Sequence, residues 1–207
     1  MNKKNVIDLY KLNNNQIKLF DSYLLEVKKS NMNFNLVGKS TLDNFWDRHI
    51  CDSLQIASFI KNKKSTILDM GTGAGIPGII LTIFGYTNVT LVDSKNKKTN
   101  FVKKFINNNR LSGTVINSRV ESINTKKFDF IVARALAPLE KLLNYSLFFL
   151  NKNTTLVFLK GRNVNKEIID AKKKYLFDFK TINSKSSGNG YVIKINKIKR
   201  LWQKLFL

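Results

Sequence analysis

The chain has 207 residues, 43% of them hydrophobic, which suits one well-buried domain and leaves too little sequence for a separate substrate domain of usual size. Its 36 Lys and Arg residues against 14 Asp and Glu residues give a formal net charge of +22, which favours a nucleic acid partner through phosphate neutralisation. A compositional bias toward lysine from AT-rich codons would explain the same excess, so both explanations stay open.

Several protein classes are excluded by what the sequence lacks. No apolar run reaches the roughly 18 residues of a membrane span, and residues 1–10 lack the apolar core of a signal peptide, so we expect a soluble, cytoplasmic protein without a membrane partner. Cys51 is the only cysteine and His49 the only histidine, which argues against disulfides, thiolate clusters and a structural metal. We expect a monomer.

The first sixty residues are predicted to be helical. Apolar side chains recur there at three- and four-residue spacing, which predicts a helix with one buried stripe. These side chains are Ile17, Phe20, Leu24 and Val27. An Asn-rich stretch at 30–35 ends this helix, and residues 41–60 are predicted to form one or two more. The chain is thus divided into a helical extension at 1–60, a core at 61–197 and a basic tail at 198–207.

From residue 65 onward, short apolar strands alternate with helices, which predicts an α/β fold with a mostly parallel sheet buried on both faces. The predicted strands are 66–69, 89–93, 114–117, 128–133, 156–159, 175–182 and 191–195. The predicted helices are 76–84, 97–108, 139–150 and 165–174.

The two last strands are joined by residues 184–190, which are rich in Ser and Gly and predict a hairpin connection, so the last strand is expected to be antiparallel. Beyond it, the helical spacing of apolar residues predicts either a short amphipathic helix or a frayed tail. Those residues are Ile198, Leu201, Trp202 and Leu205.

A glycine-rich turn follows the first predicted strand. Gly71, Gly73 and Gly75 allow the backbone to approach a ligand where a side chain would collide. Eighteen residues after Gly75, Asp93 ends the second strand, where its carboxylate can accept both hydroxyls of an adenosine ribose. Strand, turn, helix and terminal acid together predict a site for a nucleoside cofactor.

The identity of that cofactor is not decided by the glycines alone, because residues 73–78 also fit the GxGxxG spacing of dinucleotide-binding proteins. A dehydrogenase needs a proton donor beside the hydride carbon and usually a second domain, whereas the single histidine precedes the motif. Asp69 and the alternating glycines resemble motif I of class I methyltransferases, whose loop faces the methionine part of S-adenosylmethionine.

Five motifs in this order resemble the bacterial ribosomal RNA small-subunit methyltransferase G family, also called glucose-inhibited division protein B. They are RHICDS at 48–53, DMGTGAGIPG at 69–78, SRVE at 118–121, ARA at 133–135 and LKG at 159–161. The resemblance covers nearly the whole chain, although Ala74 stands where proline is common and the tail after Ile195 has no clear counterpart. It implies a Rossmann-like fold, S-adenosylmethionine as cofactor, and methylation of a guanine N7 in 16S ribosomal RNA or a small-subunit precursor.

Site residues follow from the resemblance by position. Gly71, Ile76, Val120, Glu121 and Arg134 are expected to line the cofactor pocket, with Gly73, Gly75 and Asp93 of the motif already described. The Glu121 carboxylate would accept the adenine amino group. Arg134 is the expected catalytic residue, contacting the cofactor carboxylate or guanine O6, with a structural ion pair as the alternative.

Substrate contacts are expected from four basic residues, namely Arg48, His49, Lys160 and Arg162. For Lys160 and Arg162 the expected ligand is phosphate, with a solvated basic loop as the alternative. For His49 the alternative is a hydrogen-bonded packing role.

The chemistry of guanine N7 suits this residue set. N7 carries an in-plane lone pair and no proton, so methyl transfer requires alignment rather than a general base. The sequence after the fourth strand, ARALAP at 133–138, differs from the Asn/Asp-Pro-Pro-aromatic loop of exocyclic amine methyltransferases and has no nucleophilic cysteine. The expected target is a single-stranded or flipped base. A methyltransferase of small molecules or proteins and a noncatalytic RNA-binding module stay open as alternatives.

Overall fold

The computed structural model describes residues 1–124, 126–186 and 189–201. Seven strands in these ranges form a single sheet with the order β3-β2-β1-β4-β5-β7-β6. The strands are β1 (Thr66–Met70), β2 (Asn88–Asp93), β3 (Thr114–Asn117), β4 (Phe130–Arg134), β5 (Thr155–Lys160), β6 (Tyr175–Asn183) and β7 (Tyr191–Arg200). The helices are α1 (Lys3–Tyr10), α2 (Asn14–Asn31), α3 (Asp52–Leu54), α4 (Gly78–Ile83), α5 (Asn96–Asn108), α6 (Leu139–Ser146) and α7 (Val164–Lys172).

The sheet is parallel from β3 to β5, and β7 is antiparallel to both of its neighbours, β5 and β6. This confirms the predicted α/β fold with an antiparallel last strand. The registers pair Met70 with Val92 on one side and with Ala133 on the other. The carboxyl ends of β1, β2 and β4 therefore meet at one edge, so the loops that follow these strands converge there.

Side chains alternate between two hydrophobic cores on opposite faces of the sheet. One core joins Ile67, Leu91 and Val132 to α4, α5 and the N-terminal helices. The other joins Leu68, Ile131 and Phe158 to α6 and α7. Because both faces are covered, the central strands β1, β4 and β5 are buried over most of their length and mainly apolar.

The N-terminal extension packs against the same face as α4 and α5. Helix α2 begins with a capping box in which Asn13 and Gln16 bond to each other's backbone N–H groups. Phe20 and Val27 of the predicted stripe are fully buried on it, and the helix ends at Asn31, inside the predicted break. Residues 46–59 then form one helical run of three kinds: a π-helical segment at Trp46–Cys51, α3, and a 3-10 segment at Gln55–Phe59.

The carboxyl-terminal end differs from the sequence prediction. Strand β7 continues to Arg200 instead of ending at residue 195, because Lys199 and Arg200 pair with Leu176 and Tyr175 of β6. The helical alternative is therefore wrong for Ile198, which lies in the strand. Trp202 and Leu205 of the predicted tail lie outside the described residues. Nowhere in the described ranges is a helix both long and apolar enough to cross a membrane.

Gly78, the first residue of α4, has no room for a side chain. A Cβ there would collide with Leu91 and lie 2.7 Å from the Asp69 carboxylate. We expect Gly78→Ala to lower the free energy of unfolding by about 2 kcal/mol, the usual size of an overpacking penalty. Gly161→Ala is the matched control, because nothing lies within 4 Å of its Cβ position. Urea unfolding of both variants checks this; equal stabilities would contradict the packing role of Gly78.

Candidate active site

The glycine turn after β1 is held in place by a buried carboxylate beneath it. Asp69 is fully buried, and its Oδ2 accepts hydrogen bonds from the Gly78 N–H at 2.8 Å and from the Thr72 hydroxyl. Burial raises the pKa of Asp69 to about 7. The Thr72 N–H also donates to the Val92 carbonyl at 2.9 Å, which ties the turn to β2.

Glycine serves two different purposes in this turn. Gly71 and Gly73 both have left-handed backbones, with φ of 67° and 58°. A Cβ on Gly71 would meet Leu136 at 2.5 Å, whereas a Cβ on Gly73 would have only the Gly71 carbonyl oxygen near it, at 3.9 Å. The missing side chain of Gly71 thus serves packing, and that of Gly73 leaves space open above the turn.

Asp93, at the end of β2, faces the same space. Its Oδ2 accepts from the Gly73 N–H at 2.9 Å and its Oδ1 accepts from the Lys95 N–H at 2.8 Å. Because a carboxylate oxygen accepts more than one hydrogen bond, both oxygens keep capacity for ligand hydroxyls. The backbone of the turn therefore orients the carboxylate without saturating it.

Two adjoining clefts open at this edge of the sheet. The Arg134 cleft, of about 380 Å³, is lined by His49, Gly71, Thr72, Gly73, Ile76, Asp93, Lys98, Arg134 and Leu136, among others. The Glu121 cleft, of about 220 Å³, is lined by Gly71, Asp93, Ser118, Val120, Glu121, Leu136 and Tyr145, among others. Both share Gly71, Asp93 and Leu136, so a ligand can extend from one into the other across the Asp93 carboxylate.

Arg134, the last residue of β4, is held by three protein groups. Its Nε lies 3.3 Å from Oδ2 of Asp52, its Nη1 lies 2.7 Å from Nδ1 of His49, and its Nη2 donates to the Arg48 carbonyl at 2.9 Å. A guanidinium carries five N–H groups, so two have no protein partner among the described residues. These two remain for a ligand in the Arg134 cleft.

The contacts of His49 define its tautomer. Arginine offers no acceptor, so Nδ1 of His49 must accept from Arg134 and the ring proton lies on Nε2. Nε2 then donates to the Thr41 hydroxyl at 2.8 Å, which in turn donates to the Gly38 carbonyl at 2.7 Å. Burial, reinforced by the charges of Arg134 and Arg48, lowers the pKa of His49 to about 3. The ring is therefore neutral and orients Arg134.

A second network joins the N-terminal extension to the connection between β6 and β7. Oδ1 of Asp52 accepts from the Ser184 hydroxyl at 3.0 Å, while its other oxygen faces Arg134. Gln55 donates to Ser184 at 2.8 Å and accepts from the Lys185 N–H at 2.7 Å. Asp52 thus links Arg134 to a loop distant in sequence, a role that no local pattern in the sequence indicated.

The predicted substrate residues have different surroundings. Lys160 is only 9% exposed and its Nζ lies 2.6 Å from Oε2 of Glu167 and 2.9 Å from the Ala137 carbonyl. The amine is thus paired with a carboxylate and holds the loop after β4, and its predicted phosphate contact stays a prediction. Arg162 is exposed in the loop after β5, and Arg48 is half-buried.

The structure brings most of the predicted cofactor residues together, although in two groups. Gly71, Gly73, Ile76, Asp93 and Arg134 line the Arg134 cleft, and Val120 and Glu121 line the other. Gly75 lines neither cleft, and its missing Cβ leaves room for Ile79, so its predicted cofactor contact stays a prediction. Across the described ranges, no cluster of three or more His, Cys, Asp or Glu side chains is placed to hold a metal ion.

Comparison with known proteins places the chain among RNA-modifying enzymes. Residues 16–206 match the family model described as rRNA small subunit methyltransferase G. Proteins named ribosomal RNA small subunit methyltransferase G are similar over most of their length. The one from Rickettsia prowazekii is 36% identical over 84% of this chain and 91% of its own. The one from Rhodospirillum rubrum is 34% identical over 89% and 92%.

Solved structures with the same fold are more distant in sequence. A ribosomal protein L11 methylase from Lactobacillus delbrueckii subsp. bulgaricus matches with a TM-score of 0.58 and 21% identity, over 70% of this chain and 76% of that one. The TYW2 protein of M. jannaschii, in complex with AdoMet, matches with a TM-score of 0.58 and 15% identity, over 82% and 80%. At these identities the similarity shows the class I methyltransferase fold, as the sequence resemblance implied.

The buried neutral state of His49 predicts a pH dependence of stability. Between its folded pKa of about 3 and its unfolded value of 6.5, only the unfolded chain binds the proton, so stability falls as pH falls through this window. The quantity to measure is the difference in free energy of unfolding between the wild type and His49→Gln. We expect this difference to fall by about 1.4 kcal/mol for each pH unit below pH 6.

Urea unfolding at several pH values measures this difference, and Asp69 cancels because both proteins carry it. NMR titration of the single histidine supplies a direct check on the wild type. A normal histidine pKa, or a stability difference that stays constant between pH 6 and pH 4, would contradict the buried neutral ring.

Proposed function

The chain belongs to the rRNA small subunit methyltransferase G family, whose members use S-adenosylmethionine, and we propose that it methylates N7 of one guanine in 16S ribosomal RNA. The choice of N7 rests on one observation: neither His49 nor Asp93, the two side chains of the Arg134 cleft that could accept a proton, is placed to act as a general base. N7 of guanine has no proton to remove, so its methylation needs no such base.

The described lining of that cleft offers two proton acceptors, His49 and Asp93. Nδ1 of His49 is occupied by Arg134, and the pKa of the ring is about 3, so it does not take a proton near neutral pH. The oxygens of Asp93 accept from the Gly73 and Lys95 N–H groups at the ribose end of the cleft. The remaining capacity of Asp93 would be taken by the ribose hydroxyls, so no general base would be left for the acceptor atom, which suits an atom that already carries a lone pair.

The shape of the two clefts supports a placement for the cofactor, which supplies an electrophilic methyl group on a sulfonium. Asp93 would accept from the ribose hydroxyls, the Glu121 carboxylate from the adenine amino group, and the Val120 backbone would contact the purine. The methionine part would then lie over Gly73, in the space left by the missing side chain, and reach toward Arg134.

Arg134 would use its two remaining N–H groups to hold guanine O6 or the cofactor carboxylate. The guanine gains positive charge as it is methylated, so an uncompensated guanidinium beside it would oppose the reaction. The Asp52 carboxylate at 3.3 Å compensates that charge, while leaving the directional donors in place. Arg134 would thus align the base without adding a net charge.

The RNA itself would be a single-stranded or flipped guanine, because the edges of paired bases in A-form RNA do not reach a recessed methyl donor. Arg162 is exposed beside the loop after β5 and is suited to contact phosphate near the site. A small-subunit precursor would present such a base together with its surrounding backbone.

The reaction is tested by transfer of labelled methyl from S-adenosylmethionine to small subunits and to bare 16S RNA from cells that lack the modification. We expect label at one guanine N7, and a loss of at least about 100-fold in Gly73→Asp, since a second carboxylate beside Asp93 would occupy the cofactor space. Gly85→Asp is the matched control, because Gly85 also has a positive φ but lines neither cleft. Label at another atom, or none with the cofactor bound, would contradict the proposal.

The compensating charge is tested by Asp52→Asn, which keeps the side-chain shape and removes the carboxylate. We expect kcat to fall about tenfold, equivalent to 1.4 kcal/mol, with little change in the Kd for S-adenosylmethionine. Asp178→Asn is the control, because Asp178 forms an exposed ion pair with Lys197 on β7. An unchanged kcat in Asp52→Asn would exclude charge compensation as the role of this residue.

A further inference from the structure

A groove of about 620 Å³ lies between α2 and α5, outside the two clefts. Its lining includes Asn33, Phe34, Lys97, Asn100, Lys104 and Asn108. We propose that this groove binds nucleotides of single-stranded RNA that neighbour the target guanine. The inference extends the proposed function, since it assigns a second contact surface for the same substrate.

The groove combines the three kinds of group that bind single-stranded RNA. Phe34 is half-buried and offers a ring surface on which a base can stack, above a floor formed by the buried rings of Phe101 and Phe105. The exposed amides of Asn33 and Asn100 present donors and acceptors to base edges. Such a mixture of rings and amides differs from the apolar surface that docks another helix.

The charge of the groove fits a polyanion. Lys97 and Lys104 are exposed on α5, and neither forms an ion pair with any described residue. Both are therefore free to neutralise phosphates. The lining includes one acidic residue, Glu26, whose carboxylate can accept from ribose hydroxyls or base amino groups.

The position of the groove links it to the active site. On one wall, Lys97 lines the groove and the next residue, Lys98, lines the Arg134 cleft. On the other wall, Phe34 lines the groove and Leu36 lines the cleft. The groove and the Arg134 cleft are therefore neighbours along both walls. From Lys97 to Asn109 the helix rises about 18 Å, which accommodates more than one nucleotide.

Tyr23 connects the floor of the groove to the glycine turn. Its ring packs against Phe105 with centroids 5.1 Å apart, and its hydroxyl donates to the Ala74 carbonyl at 2.8 Å. Nucleotides held on this floor would therefore lie one side chain away from the turn that faces the cofactor. The RNA strand on one side of the target guanine would leave the Arg134 cleft at the floor of the groove.

The test measures binding of a fluorescent single-stranded oligoribonucleotide that carries the target guanine and its neighbours, by anisotropy at several salt concentrations. We expect Lys104→Ala to weaken binding about threefold and to reduce the slope of log K against log salt by about 0.7, the value for one phosphate contact on a single strand. The matched control is Lys103→Ala, an exposed neighbour on α5 that does not line the groove.

Phe34→Leu tests stacking while it preserves apolar bulk, and we expect about tenfold weaker binding. Its control is Phe148→Leu, because Phe148 is exposed on the opposite face of the sheet, near α6. All four variants should bind S-adenosylmethionine as the wild type does, which excludes general misfolding.

The outcomes separate this proposal from the proposed reaction. Equal affinities of the groove variants and their controls would overturn the proposal that the groove binds RNA, and so would the absence of binding by the wild type. Methyl transfer to N7 could still be observed in either case. Groove-dependent binding without methyl transfer would support the groove and contradict the reaction. Crosslinking from a benzophenone attached at Asn100→Cys to the nucleotides beside the guanine would support the proposal, and crosslinks only to distant positions would overturn it.

Discussion

The contacts of the Arg134 guanidinium are the constraint on which the active site depends. They join the end of a core strand to the N-terminal extension through Asp52, His49 and the Arg48 carbonyl, with all three atoms within 3.3 Å. Asp52 continues the connection to Ser184 in the loop between β6 and β7. A largely buried cation without such partners would be costly, so the extension and the core must be assembled together for the arginine to take its place.

This arrangement also explains why the one histidine of the chain is not a base. Its ring accepts a hydrogen bond from a cation and is enclosed by the N-terminal helices, so its protonated form is strongly disfavoured. The site therefore provides directional donors, an oriented carboxylate at Asp93 and open space above Gly73. Those features serve alignment of a cofactor and a base, which is what methylation of a lone pair requires.

The large positive charge has several separate roles. Lys160 is used internally, where it neutralises Glu167 and positions the loop after β4. Lys97 and Lys104 are exposed and form no ion pair with a described residue; they line the groove of aromatic and amide groups next to the Arg134 cleft. Net charge alone could not distinguish these cases, because the difference lies in whether a carboxylate from another element comes within reach of each amine.

The sequence by itself determined the succession of strands and helices along the chain, the glycine turn with Asp69 and Asp93, and the family, because these depend on local periodicity and on residues close together in the chain. It placed β1 to β5 to within about two residues, and it missed the extension of β7 to Arg200, which depends on pairing with β6. Only the tertiary structure decided which polar groups meet: Arg134 with Asp52, His49 with Thr41, Lys160 with Glu167, and α2 with α5 around a groove. Arg134 and Asp52, like α2 and α5, are far apart in the chain, whereas His49 and Thr41, and Lys160 and Glu167, are near in sequence but lie in different elements. In each case the packing of the elements sets the distance, and local periodicity does not.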